Sequence, residues 1–200
     1  MPGLIELAAT GANTTIVRAL LARLAREGMH VTAEPIGGNL ADPDADLIIP
    51  NARRYVLAAG VLHGKRIEAL SGAEINECLA VNLVNVVRIC ERVLTYQPSA
   101  RICVVGSLSG IRGSFDTTYA IAKAGVHGYV QFRETHWPQQ LFAVAPSIIS
   151  DSGMTMRRPD YPEILTKRQT VTAAQVADAI HRHLWDPSAE PLTGAVVTVQ

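Results

Sequence analysis

Between Arg101 and Gly125 a short apolar run gives way to a glycine-bearing loop and then to a helical stretch, and this order constrains the fold more than any other feature. Ile102 to Val105 is rich in β-branched residues and reads as a buried strand. Ser107 stands at its C-terminal end, the loop carries Gly110 and Gly113, and a helix is predicted to open near Thr117 with Asp116 as its cap. Tyr119 and Lys123 lie four residues apart, so they share a face of that helix. An ammonium held beside a phenol favours the phenolate, so Tyr119 is expected to exchange a proton nearer neutral pH than a free tyrosine. Ser107 can donate a hydrogen bond to the same point. A strand end followed by a loop is where open α/β sheets place their ligands.

The same strand-to-helix unit recurs along the chain. Leu4 to Ala9 reads as a strand, Thr10-Gly11-Ala12-Asn13 as a turn, and Ile16, Val17, Leu20, Leu21 and Leu24 fall at amphipathic helical spacing. Asn13 or Thr14 can cap that helix and Gly28 can end it. A second strand, Met29 to Ala33, closes on Glu34. This β-α-β unit has the form of a dinucleotide half-site: the helix N-terminus would face a pyrophosphate, and Glu34 is placed to take ribose hydroxyls. Its charge would repel a 2′-phosphate, so NAD is expected over NADP.

From Gly37 to Pro50 the chain reads mainly as turns, with a short strand near Asn39–Ala41 and one helical turn. Tyr55 to Ala59 forms the next strand, ending at Gly60. A long helix from Ser71 or Gly72 to about Leu94 carries Asn82 and Asn85, and asparagine inside an apolar helix needs a reason. Leu141 to Ala145 is a strand ending in Pro146-Ser147, Thr172 to Trp185 an amphipathic helix, and Leu192 to Val199 a closing strand.

Ser107 followed by Tyr119-x-x-x-Lys123 resembles the active site of the short-chain dehydrogenase/reductase family. The resemblance implies that Tyr119 is the proton donor or acceptor, that Lys123 steers it and binds the nicotinamide ribose, and that Ser107 polarises the substrate oxygen. Val81-Asn82-Leu83 is similar to the stretch holding the family's helix asparagine, which retains a water near the lysine, with Asn85 as the competing candidate. Gly11, Asn13, Thr14, Thr15 and Ile16 stand where the family's Thr-Gly-x-x-x-Gly-x-Gly loop binds cofactor, but Thr15 and Val17 replace the later glycines. Ala58, Ala59 and Gly60 match the end of its Asn-Asn-Ala-Gly segment, with Leu57 and Ala58 in place of both asparagines. Pro146 and Ile149 would border the nicotinamide, and Asp151 or Ser152 would meet its carboxamide. Arg157 and Arg158 fall in the substrate loop.

The implied fold is α/β: one doubly wound Rossmann-like domain over residues 1–200, its mainly parallel sheet of six or seven strands covered by helices on both faces. The implied chemistry is hydride transfer between a nicotinamide and a small-molecule carbonyl or alcohol. The helices of Asn82 and Tyr119 resemble those through which the family forms dimers, so a homodimer or homotetramer is expected. A regulatory module with weak or lost turnover, and a nucleotide-sugar epimerase or dehydratase, are the alternatives.

The 200 residues carry 18 basic and 18 acidic side chains without a long run of either sign, which gives no footprint for nucleic acid or a membrane surface. Three cysteines without Cys-x-x-Cys spacing read as buried thiols, and the histidines show no ligand spacing, so no metal site is expected. The N-terminus lacks a signal-peptide pattern and no apolar run spans a bilayer, so the expectation is a cytoplasmic protein.

Overall fold

The computed structural model describes residues 5–158 and 160–200. Leu4, expected to begin the first strand, lies outside them.

Strand residues alternate between two cores, and that alternation defines the layers. On one face of the sheet, Tyr55, Leu57, Ile102, Val104, Leu141 and Ala143 pack with Val86, Ile89, Val93, Val126 and Val130. On the other, Val56, Cys103, Val105, Phe142 and Val144 pack with Val17, Leu20, Leu24, Val176 and Ile180. Burial on both faces explains why these strands read as continuous apolar runs rather than as alternating ones.

The strands are β1 (Ile5–Thr10), β2 (Ala33–Pro35), β3 (Ala52–Leu57), β4 (Arg101–Val105), β5 (Gln140–Pro146), β6 (Ile148–Ile149), β7 (Thr170–Val171) and β8 (Ala195–Val199). Six of them form one sheet in the order β2-β1-β3-β4-β5-β8. Every neighbouring pair in it is parallel. β6 and β7 make a separate two-stranded parallel ladder.

Helices α1 (Thr15–Arg26) and α8 (Ala173–Leu184) cover one face. Helices α3 (Asn85–Tyr96) and α5 (Thr117–Phe132) cover the other. α2 (Gly72–Leu79) runs into α3 through a π-helical turn, Ala80–Val84, and short helices α4 (Ser109–Arg112), α6 (Gly153–Met156) and α7 (Tyr161–Lys167) decorate the loops. This is the doubly wound fold that the sequence implies. Among the described residues, no helix is long and apolar enough to cross a membrane.

Two expectations fail on the edge of the sheet. The second strand is Ala33–Pro35 rather than Met29–Ala33, so Glu34 sits in its middle instead of after its end. No regular strand or helix forms near Asn39–Ala41; the segment is turns closed by one antiparallel bridge, Gly37 to Ile48. The reason is visible in the partners of α3. Asn85 Nδ2 donates to Leu40 O and Asp42 O, both at 2.9 Å. Arg88 reaches Pro43 O and Ala45 O, and Arg92 reaches Leu47 O at 2.8 Å. These donors satisfy the carbonyls that a helix or strand would have paired internally.

Candidate active site

The topological switch lies between β1 and β3. From β1 the chain winds outward to β2, then returns to place β3 on the other side of β1. The crevice beyond the C-terminal ends of such a strand pair is the ligand position of open α/β sheets. Gly11 follows β1 with φ of +64°, and a Cβ there would stand 2.7 Å from Thr14 Cγ2 and 3.1 Å from Ala59 Cα. Glycine is therefore required both by the backbone twist and by the close approach of Ala59. Thr10 Oγ1 accepts the Ala59 N–H at 3.1 Å, which joins the two strand ends.

Thr14, not Asn13, caps α1 by accepting the Val17 N–H, and Asn13 is exposed beside it. Ile16 is buried in the core, so its backbone N–H rather than its side chain is what it can offer a ligand. Thr15 begins α1 next to it, leaving first-turn N–H groups without intrahelical partners. Ala58, Ala59 and Gly60 lie past the end of β3 rather than within it. Glu34 is exposed on β2, paired in register with Ala8 of β1. Pro146 ends β5 and Ile149 lies in β6, beside Val171.

At the end of β4 the expected catalytic side chains converge. Asp116 caps α5 by accepting the Tyr119 N–H at 3.1 Å, which fixes Tyr119 in the first turn. Its second oxygen accepts the Gly64 N–H at 3.0 Å and ties the loop after β3 to the same helix. Lys123, 3% exposed, donates from Nζ to Val105 O at 2.9 Å and lies 5.6 Å from the centroid of the Tyr119 ring. The Ser107 side chain stands against the phenol. Ser107 Oγ accepts the Ser109 N–H at 3.1 Å, which leaves its own hydroxyl proton to donate elsewhere.

The electrostatics correct one expectation. Burial pushes the Tyr119 phenol up to about 12, and the nearby Cys78 and Asp116 push the same way, while Ser107 alone among its neighbours pulls it down. Burial also lowers Lys123 to about 8. The phenol is therefore not brought towards neutrality in this state; desolvation dominates, and the phenol is held as a proton donor.

Asn82 and Asn85 separate cleanly. Both are fully buried, but Asn85 ties down the segment before β3, as described above. Asn82, within the π-helical turn, donates to Val61 O at 2.8 Å and Cys78 O at 2.9 Å, and its Oδ1 has no hydrogen-bond partner among the described residues. A Cβ on Gly60 would stand 3.0 Å from that oxygen. A buried acceptor left open beside the Gly60 backbone fits a water or ligand donor at this point.

The residues after β5 are mostly engaged structurally. Asp151 accepts the Ala173 N–H at the start of α8, and Ser152 caps α6. Arg158 is paired with Asp160 and stacks over Phe115, so it is not free to hold a substrate anion. Met154 from α6 reaches to 3.7 Å from where a Gly60 Cβ would be. A separate concavity of about 600 Å³ opens between α1 and α8, lined by residues including Arg23, Glu27, Asp178, His181 and Trp185. It contains none of the site residues.

Sequence reasoning missed His127. It is buried on α5, and its Nε2 accepts the Ser107 N–H at 3.3 Å. The available signal was its position four residues beyond Lys123, on the same stripe of the helix.

Residues 54–162 match the sequence model of the short chain dehydrogenase family. No curated protein matches the chain. Among solved structures, a short-chain dehydrogenase/reductase (glucose/ribitol dehydrogenase) from Brucella melitensis superposes with a TM-score of 0.75 at 22% identity, covering 100% of this chain and 97% of that one. The 3-ketoacyl-(acyl-carrier-protein) reductase of the same organism, complexed with NADH, gives 0.77 at 14% identity, covering 98% and 96%. A Tyr-to-Phe variant of ElxO with NADPH bound gives 0.78 at 15% identity, covering 98% and 97%. At these identities the structures speak for the fold.

Proposed function

The chain belongs to the short-chain dehydrogenase family, and on that footing we propose that it is an NAD(P)-dependent oxidoreductase that moves hydride between a nicotinamide and a carbonyl or alcohol carbon. One observation carries the reading: Ser107 meets the Tyr119 phenol, and Lys123 Nζ lies 5.6 Å from the centroid of its ring, at the end of β4. The bound nicotinamide would supply or accept the hydride. Tyr119, held protonated, gives its proton to the carbonyl oxygen, and the free Ser107 hydroxyl proton orients that oxygen. Lys123 places positive charge where the phenolate forms. Asn82 Oδ1 offers the open acceptor for a water on the proton path.

The residues at the crevice support a dinucleotide. Gly11, Thr14, Thr15 and Ile16 would take the pyrophosphate at the start of α1, and Ala58, Ala59 and Gly60 let the ligand approach the backbone. Tyr119 and Lys123 would meet the nicotinamide ribose, with Pro146 and Ile149 beside the ring. Exposed Glu34 favours NAD over NADP. The exposed apolar side chains of Ile121 and Phe132 on α5 support self-association through that helix.

The test is a fluorescence titration with NADH and NADPH, in the wild type and Tyr119→Phe, followed by a panel of aldehydes and ketones. Both proteins are expected to bind NADH, and the phenylalanine variant to lose turnover by roughly 10²- to 10⁴-fold. Binding in both with turnover in neither would favour a regulatory module. No binding in the wild type would defeat every cofactor-dependent reading.

A further inference from the structure

Tyr119, Lys123 and His127 follow one another at four-residue spacing and form one stripe along α5. The stripe faces the end of β4. Lys123 holds Val105 O, the Tyr119 phenol meets Ser107, and the His127 ring takes the Ser107 backbone N–H. Between the two gripped residues lies Gly106, where a Cβ would stand 2.2 Å from His127 Nε2 and 2.9 Å from its Cδ2. No side chain fits at position 106 while the ring is in place, so the glycine and the histidine form one device.

We propose that His127 is a positioning residue for the Ser107–Tyr119 pair: its neutral imidazole, protonated at Nδ1, accepts the Ser107 N–H and thereby fixes where the Ser107 oxygen stands. Ser107 lies just past the β4–β5 ladder. Gly106 N and Leu108 N on either side of it donate to Val144 O and Pro146 O. The Ser107 N–H points away from that ladder and needs an acceptor of its own. Only an unprotonated Nε2 can serve. Burial, reinforced by the Lys123 ammonium one turn away, lowers the ring to about 4, so the acceptor form persists at neutral pH. With Ser109 N–H on its oxygen as well, the serine is held from two directions. Its hydroxyl proton is then aimed rather than free to wander.

The inference rests on the proposed roles of Ser107 and Tyr119, and its test separates the two. Wild type, His127→Gln and His127→Leu are compared; the glutamine oxygen can accept the N–H, and leucine cannot. With the carbonyl compound that the wild type reduces fastest, His127→Leu is expected to lower kcat about tenfold or more, with KM for NADH changed less than about twofold. His127→Gln should recover most of that loss. Hydrogen exchange at the Ser107 amide should accelerate in the leucine variant alone, and ¹⁵N spectra of the wild type should show His127 as the Nδ1–H tautomer. Wild-type kcat in His127→Leu overturns the proposal, as do equal losses in both variants with unchanged Ser107 exchange. If the leucine variant fails to fold, the wild-type tautomer decides: an Nε2–H ring cannot accept the bond. If the wild type reduces no carbonyl, the oxidoreductase reading fails, while the tautomer and amide exchange still decide whether His127 holds Ser107.

Discussion

On the Tyr119 side of the crevice, helix α5 grips the end of β4 through Lys123 and His127, with bonds of 2.9 and 3.3 Å to consecutive parts of the backbone. On the Glu34 side, the edge strand β2 has three residues, and the chain reaches β3 through turns that α3 holds by their carbonyls. The first region spends side chains on placing other side chains. The second spends them on replacing secondary structure, since Asn85, Arg88 and Arg92 satisfy groups that a full helix and strand would satisfy internally. Where the fold is trimmed, order is bought back with donors from a neighbouring helix; where chemistry is expected, the same kind of donor is aimed at the reacting group.

Asn82 and Asn85 put this contrast on one helix, three residues apart, and give its strongest test. Asn85→Ala would leave Leu40 O and Asp42 O without their partner, at a cost of roughly 2–3 kcal/mol. Thermal unfolding should therefore fall by about 5–10 °C, with little change in kcat. Asn82→Ala leaves Val61 O and Cys78 O without their donor as well, so its Tm loss should be comparable, but it also removes the open Oδ1 and should lower kcat. Equal kcat losses in the two variants would erase the distinction between a structural and a functional asparagine.

Glu34 tests the other side at smaller amplitude. The side chain is exposed, so Glu34→Arg should leave the Tm unchanged. If the trimmed edge still takes the adenosine ribose, the ratio of NADPH to NADH affinity should rise about tenfold or more in that variant. An unchanged ratio would mean that this region is a strap and nothing else.

The layers were legible in the sequence because parallel strands buried on both faces leave apolar runs that stand out between amphipathic helices. The site was legible where one helical turn sets the spacing: Tyr119 to Lys123 needs no tertiary information, and Asp116 as a cap follows from its place before the helix. What the sequence hid depended on contacts between distant segments. The sequence context favoured Asn82, but what Asn85 does could not be read without the segment at residues 40–42 that it holds. His127 shares a helix stripe with Lys123, but its role stayed hidden because its partner is a backbone N–H twenty residues away. The phenol's shift also escaped, since the placement of Lys123 near it can be read from spacing, whereas the burial that sets its pKa cannot.

The smallest effect concerns how dry the Tyr119 side is. Lys123 has its pKa lowered to about 8 by burial, against the usual value of 10.5. Below pH 8 the lysine is charged in both the folded and unfolded chain, and the folded state bears the full cost of burying that charge. Between pH 8 and 10.5 the unfolded chain binds the proton and the folded chain does not, so stability rises with pH, by at most about 1.4 kcal/mol per unit. The buried thiols and phenols oppose this as pH rises further, because Cys90, Cys103 and Tyr119 are pushed up rather than down. Those groups are shared by wild type and Lys123→Met, so the difference in Tm between the two isolates the lysine. That difference should shift in favour of the wild type by roughly 2–4 °C from pH 8 to pH 9. A flat difference would show that Lys123 keeps its charge through that range, with water reaching it, and the Tyr119 side would then be as open to solvent as the Glu34 side.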